Sequence, residues 1–90
     1  MEKRQFTIYG RVQGVGFRFY TARQAQKLML SGCVKNLSDG SVLVIAVGIE
    51  EQIAAMRQWL KTGSPAARVD RIIEQEYIGE REFIDFKIEH

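Results

Sequence analysis

The sequence has few of the residues that form disulfides and metal centres. It contains one cysteine, Cys33, and one histidine, His90, which is the last residue of the chain. A single cysteine forms no intramolecular disulfide, and the same count excludes a metal site built from a His/Cys cluster. We therefore expect no cofactor, no metal and a reduced, cytoplasmic protein.

Long apolar runs and blocks of like charge are also missing. No stretch approaches the ~20 apolar residues of a membrane-spanning helix, and residues 1–6 lack the apolar run of a signal peptide. The 13 basic and 11 acidic residues are scattered and give a formal net charge of +2. A nucleic-acid-binding surface normally carries a concentrated basic stripe, so we expect no nucleic-acid partner. The missing apolar runs lead us to expect no membrane partner either. A small local anion site is compatible with this charge pattern.

The remaining composition is that of an ordinary globular protein. Hydrophobic residues make up 46% of the chain and charged residues 27%, and no repeat, low-complexity tract or linker interrupts it. Ninety residues lie near the lower end of what folds without disulfides or metals. We expect one domain over residues 1–90 and a monomer.

Hydrophobic periodicity predicts two helices among five strands. The predicted elements are a strand over 6–12, a helix over Phe17–Leu30, strands over Cys33–Leu37 and Ser41–Val47, a helix over 49–60, a strand over Val69–Ile78, and a short last strand in which Ile84, Phe86 and Ile88 alternate. This β-α-β-β-α-β order with a short C-terminal strand predicts an α+β, ferredoxin-like split βαβ sandwich, with two helices on one face of an antiparallel sheet.

Several single residues carry structural expectations. Cys33, Trp59 and Phe86 are expected to lie in the core. For Cys33 the reason is that a strand thiol is more often a small core side chain than a reactive group. Glu74 and Glu76 are expected to be solvated.

The stretch with a chemical signal is residues 10–18, GRVQGVGFR. A strand ends there, two glycines follow, and a helix begins at once; the free N–H groups and positive dipole of a first helical turn favour an anion. Arg18 in that turn is unfavourable by roughly 0.3–1 kcal/mol unless a negative partner binds, and a guanidinium can bond two phosphoryl oxygens together. From the residues alone an alternative stays open, in which Gly14 and Gly16 only form a turn and Arg18 is solvated.

Residues 10–18 resemble the acylphosphatase signature G-x-V-Q-G-V-x-F-R in its common bacterial form. Further similar segments follow in the same order over nearly the whole chain: GCVKN (32–36), DGSV (39–42), WL (59–60), GSP (63–65), ARV (67–69) and FKI (86–88). The chain departs from the family at Met29, Cys33 and Leu43, where members often have glycine, an aromatic residue and an acidic residue.

The resemblance implies an enzyme that hydrolyses small acyl phosphates without a metal. Arg18 would bind phosphoryl oxygens and Asn36 would position the attacking water, while inorganic phosphate or sulfate would compete with substrate. The implied phosphate cradle is the backbone N–H groups of Gln13, Gly14, Val15, Gly16, Phe17 and Arg18. Without the resemblance, Asn36 beside residues 38–40 would be interpreted as a hairpin-turn residue.

The alternative is a non-catalytic ferredoxin-like binding module that takes RNA or a carbamoyl or phosphate group. An RNA recognition motif needs aromatic side chains on a central strand, and Ser41–Val47 contains none. A carbamoyl-handling module would normally belong to a larger protein.

Overall fold

The computed structural model describes all residues from Met1 to His90 and contains two helices and five strands. Their bounds are β1 Glu2–Arg11, α1 Phe17–Lys27, β2 Ser31–Asn36, β3 Val42–Gly48, α2 Glu50–Thr62, β4 Arg68–Glu76 and β5 Phe86–Glu89. The predicted ferredoxin-like order of elements is confirmed. No helix has the length and apolarity needed to cross a membrane.

The strands form one sheet in the order β4-β1-β3-β2-β5. Strand β1 is antiparallel to β3 and β4, and β2 is antiparallel to β3, but β5 runs parallel to β2. The predicted antiparallel sheet is found for β1 to β4, whereas the short C-terminal strand joins it in parallel and makes the sheet mixed. The chain leaves β4 at the end of the sheet where β2 begins, crosses to the far edge through residues 77–85, and so enters beside β2 in the same direction.

One hydrophobic core fills the space between the sheet and the helices. Phe6 and Ile8 of β1 and Val44 of β3 are fully buried there, as is the α2 face formed by Ile53, Met56 and Leu60. The predicted apolar face of α2 is confirmed except at Ile49, which precedes the helix and is exposed. Its backbone N–H instead donates to Oε1 of Gln52 at 3.0 Å.

The predicted boundaries differ from the structure by up to four residues, and the largest shift is at β1, which begins at Glu2 rather than at residue 6. Helix α1 ends at Lys27 rather than Leu30, because Met29 adopts the left-handed conformation with φ 60°. Strand β4 ends at Glu76 rather than Ile78. Ile84 lies before β5 and is 95% exposed while Phe86 is buried, so the predicted alternation over 84–88 is wrong.

The single-residue expectations fared unequally. Cys33 and Phe86 are buried as predicted, and burial raises the pKa of the Cys33 thiol. Trp59 is half-buried, with its ring 6.1 Å from that of Phe17. Glu76 is exposed, but the expectation for Glu74 is wrong: its carboxylate accepts hydrogen bonds from two arginines on β1 and α2, Arg4 at 2.8 Å and Arg57 at 2.6 Å.

Candidate active site

The loop from Val12 to Gly16 joins β1 to α1 and requires glycine at two positions. Gly14 and Gly16 both have φ 74°, in the left-handed region that other residues rarely adopt. A Cβ at Gly14 would meet nothing within 4 Å, so the backbone conformation and not a lack of space demands glycine there. Gly16 is the N-cap of α1 and offers no side chain to bond the first helical turn.

This loop presents a run of backbone donors with no protein acceptor. None of the backbone hydrogen bonds outside the helices and strands is donated by residues 13–19. The N–H groups of a first helical turn have no partner inside the helix, and the first turn of α1 has no acidic residue. The N–H groups and the positive end of the helix dipole therefore coincide, which favours an anion.

Arg18 lies in the first turn of α1, and its guanidinium reaches the end of β5. Its Nη1 donates to the backbone oxygen of Glu89 at 3.0 Å and lies 3.2 Å from Nδ1 of His90. The Glu89 carboxylate is instead bonded by Arg81, which holds the pKa of Glu89 below its usual range. No salt bridge of the structure includes Arg18. The Arg18 charge therefore faces no carboxylate and is available to an anion.

Asn36 is the last residue of β2 and is exposed. Its neighbour Lys35 pairs with Glu89 of β5, the residue whose backbone oxygen holds Arg18. Asn36 therefore lies one residue beyond the β2 position that pairs with Glu89, the residue that Arg18 contacts. Asn36 and Arg18 are eighteen residues apart in the chain.

The side chain of Gln13 connects the glycine loop to the hairpin that follows Asn36. Its Nε2 donates to the backbone oxygens of Leu37 and Ser41, each at 2.8 Å. The N–H of Leu37 donates to the Ser41 oxygen at 2.8 Å, and this bond closes the hairpin at its base. Gln13 therefore bonds the two residues that form the base of the hairpin. The structure in this way brings residues 13–18 and Asn36 together at one end of the sheet.

Sequence reasoning missed this role of Gln13, to which it assigned only a backbone N–H. A signal existed: a backbone donor can come from almost any residue, whereas the signature specifies glutamine. Ser64 was missed as well. This buried residue follows α2, and its hydroxyl donates to the backbone oxygen of Val15 at 3.1 Å.

One carboxylate, that of Asp39, belongs to the hairpin that Gln13 bonds. Asp39, on the hairpin, accepts from the hydroxyl and N–H of Ser41, and these bonds hold its pKa below the ordinary value. The structure contains no group of three or more His, Cys, Asp or Glu side chains arranged to hold a metal ion. The candidate site brings together backbone N–H groups, one guanidinium and one exposed asparagine.

Comparison with known proteins gives the family to which the chain belongs. Residues 4–88 match the acylphosphatase family. The protein named Acylphosphatase from Actinobacillus succinogenes is 60% identical over 89 residues, which cover 99% of both chains. The chain belongs to the acylphosphatase family and is an enzyme of that class.

Solved structures of similar proteins share the fold of this chain. The crystal structure of acylphosphatase from Bacillus subtilis has a TM-score of 0.94, with 36% identity and full coverage of both chains. Full-length HypF in its phosphate- and nucleotide-bound form contains a similar segment, with a TM-score of 0.85 and 34% identity. The chain covers only 12% of that longer protein.

Proposed function

We propose that the enzyme hydrolyses the carboxyl–phosphate anhydride bond of small acyl phosphates to a carboxylate and inorganic phosphate. The observation that carries this proposal is the run of unpartnered N–H donors over residues 13–18 beside the unpaired charge of Arg18. Both features suit a phosphoryl group, and the family supplies the substrate class.

The phosphoryl group lies in the cradle formed by the N–H groups of residues 13–18. Arg18 binds its oxygens in the substrate and in the transition state. Donors of this kind are effective because they are already aimed before the reaction, and each contributes on the order of 2.7–4 kcal/mol. Inorganic phosphate or sulfate occupies the same cradle and competes with substrate.

Asn36 holds the attacking water. Asn36 is exposed and ends β2 one residue beyond the pair of Lys35 with Glu89, which supports a role for its amide beside the bound phosphoryl group. An amide both accepts and donates hydrogen bonds, and can therefore orient a water without removing its proton. The proton passes to a phosphate oxygen of the substrate itself.

The reaction requires neither a general acid nor a metal from this site. The leaving carboxylate has a conjugate acid with a pKa of about 4, so it departs without prior protonation. The loose transition state of phosphoryl transfer demands mainly that oxygens be held and a water be aligned. Backbone donors, one arginine and one asparagine supply both. We propose a cytoplasmic monomer, folded as one domain around its single core.

A second candidate is a binding module that holds a carbamoyl or phosphate group without catalysis. The similarity to a segment of HypF, solved in a phosphate- and nucleotide-bound form, is the observation that favours phosphate binding of this kind. Near-complete coverage of the 60% identical relative, itself of the same length, favours the enzyme. An RNA-binding module has less support, since β3 from Val42 to Gly48 has no aromatic side chain.

Kinetics of two variants test the roles of Arg18 and Asn36. Arg18→Ala should weaken the binding of substrate and phosphate as well as turnover of benzoyl phosphate. Asn36→Ala should lower kcat by roughly a hundredfold while leaving phosphate affinity nearly unchanged, because the water is not part of the ligand. Thermal unfolding of both variants is the control.

Three results would contradict these assignments. Loss of phosphate affinity with turnover retained in Asn36→Ala would make Asn36 a ligand contact. Unfolding of that variant would make it a hairpin-turn residue. Phosphate binding by the wild-type protein without any turnover would favour the binding module.

A further inference from the structure

Ser64 lies outside the signature segment but contacts the glycine loop. It is 2% exposed, in the turn between α2 and β4, and its hydroxyl donates to the backbone oxygen of Val15 at 3.1 Å. Val15 stands in the middle of the loop, and the next N–H along the chain belongs to Gly16.

The turn approaches the start of α1 so closely that no side chain fits at its first residue. Gly63 has φ 72°, and a Cβ built on it would lie 2.6 Å from a ring carbon of Phe17, the first residue of α1. Phe17 itself is buried. The backbone of residue 63 therefore packs directly on the helix start, which places the Ser64 hydroxyl at a defined position under the loop.

The Ser64 bond determines which way one peptide group points. A trans peptide is planar, so the C=O of Val15 and the N–H of Gly16 point in opposite directions. Because the oxygen is bonded to a buried hydroxyl, the N–H points away from the interior; Gly16 is exposed. Glycine accepts φ of either sign, so this peptide could otherwise rotate and turn its oxygen toward the ligand.

We propose that Ser64 is a positioning residue that holds the Val15–Gly16 peptide with its N–H directed at the bound phosphoryl group. This inference depends on the proposed phosphate cradle. Ser64 does not touch the substrate; it acts by preventing rotation of a peptide that glycine leaves free to rotate. A carbonyl oxygen turned to the ligand would replace a donor by a repulsive partial negative charge.

The test is inorganic phosphate titrated into wild type and Ser64→Ala, followed by the amide signals of Gly14 and Gly16 in NMR spectra. In wild type both signals should shift on binding. In Ser64→Ala the Gly16 shift should diminish while that of Gly14 persists. Phosphate affinity should fall about fivefold to tenfold and KM should rise equally, with kcat within about twofold, because a donor used in both substrate and transition state is affected.

Two further variants separate positioning from stability. Ile53→Val removes one methylene from the core of α2, away from the loop, and should destabilise the fold without changing KM or the Gly16 shift. Ser64→Cys keeps a weaker donor of similar size, and its KM should lie between those of wild type and Ser64→Ala. If the alanine variant does not fold, the cysteine variant gives the same comparison at smaller amplitude.

The outcomes distinguish this inference from the function on which it depends. Unchanged affinity and an unchanged Gly16 shift in Ser64→Ala, with stability alone reduced, would overturn the inference and leave the cradle intact. No shift of any loop amide in wild type at saturating phosphate would overturn the cradle and the inference together.

Discussion

At position 29, glycine is expected to give a more stable protein than alanine. Helix α1 ends in a motif in which the N–H of Leu30 bonds the oxygen of Ala25 at 3.0 Å and the N–H of Met29 bonds that of Gln26 at 3.1 Å. These two bonds define a Schellman motif, whose left-handed residue is usually glycine. Here that residue is Met29, with φ 60° and 79% of its surface exposed.

The expected magnitude follows from two opposing contributions. A side chain in the left-handed conformation costs roughly 1–2 kcal/mol, and glycine has additional freedom in the unfolded chain that costs roughly 0.5–1 kcal/mol. Comparing glycine with alanine at position 29 removes the effect of the methionine side chain. Met29→Gly should therefore exceed Met29→Ala in unfolding free energy by roughly 0.5–1 kcal/mol, or roughly 2–8 °C in Tm.

Lys27 provides the matched control two residues away. It is exposed and belongs to the last turn of α1. At this helical position the order should reverse, with Lys27→Ala more stable than Lys27→Gly by about 1 kcal/mol. The assay is urea unfolding followed by circular dichroism. Alanine more stable than glycine at both positions would refute the reasoning, because the left-handed conformation at residue 29 would then cost less than the extra freedom of glycine in the unfolded chain.

Three other perturbations have defined expected outcomes. Glu74→Gln should lower the unfolding free energy by roughly 1–2 kcal/mol at neutral pH. Arg57 and Arg4 hold the pKa of Glu74 below its ordinary value. The stabilisation is therefore full above the ordinary glutamate pKa and is lost as pH falls through the lower folded-state pKa. A difference that persists fully at pH 2 would contradict this. Cys33 is 1% exposed and burial raises its thiol pKa, so an aromatic disulfide reagent should label it only as urea unfolds the chain. Labelling at full rate in native buffer would be the opposite result. Hydrolysis of benzoyl phosphate should continue in excess EDTA, and complete loss restored by a divalent ion would argue against the mechanism.

Local signals in the sequence determined much of this protein. The glycines of residues 14–16 place a strand-to-helix turn beside Arg18, and apolar spacing along α2 predicts the buried face of Ile53, Met56 and Leu60. Such features depend on neighbours within a few residues, which periodicity and turn chemistry report directly. The family resemblance added what periodicity lacks, namely a role for Asn36 and a substrate class.

Tertiary structure alone decided which distant groups meet. Strand β5 lies parallel to β2 because of the end of the sheet at which the chain leaves β4. This placement brings Glu89 to Arg18. Several hydrogen bonds join residues separated by 17 to 70 positions. They link Gln13 with the base of the hairpin, Ser64 with Val15, and two arginines with Glu74. No periodicity extends over such separations, because these contacts arise only when packing brings the helices and strands together.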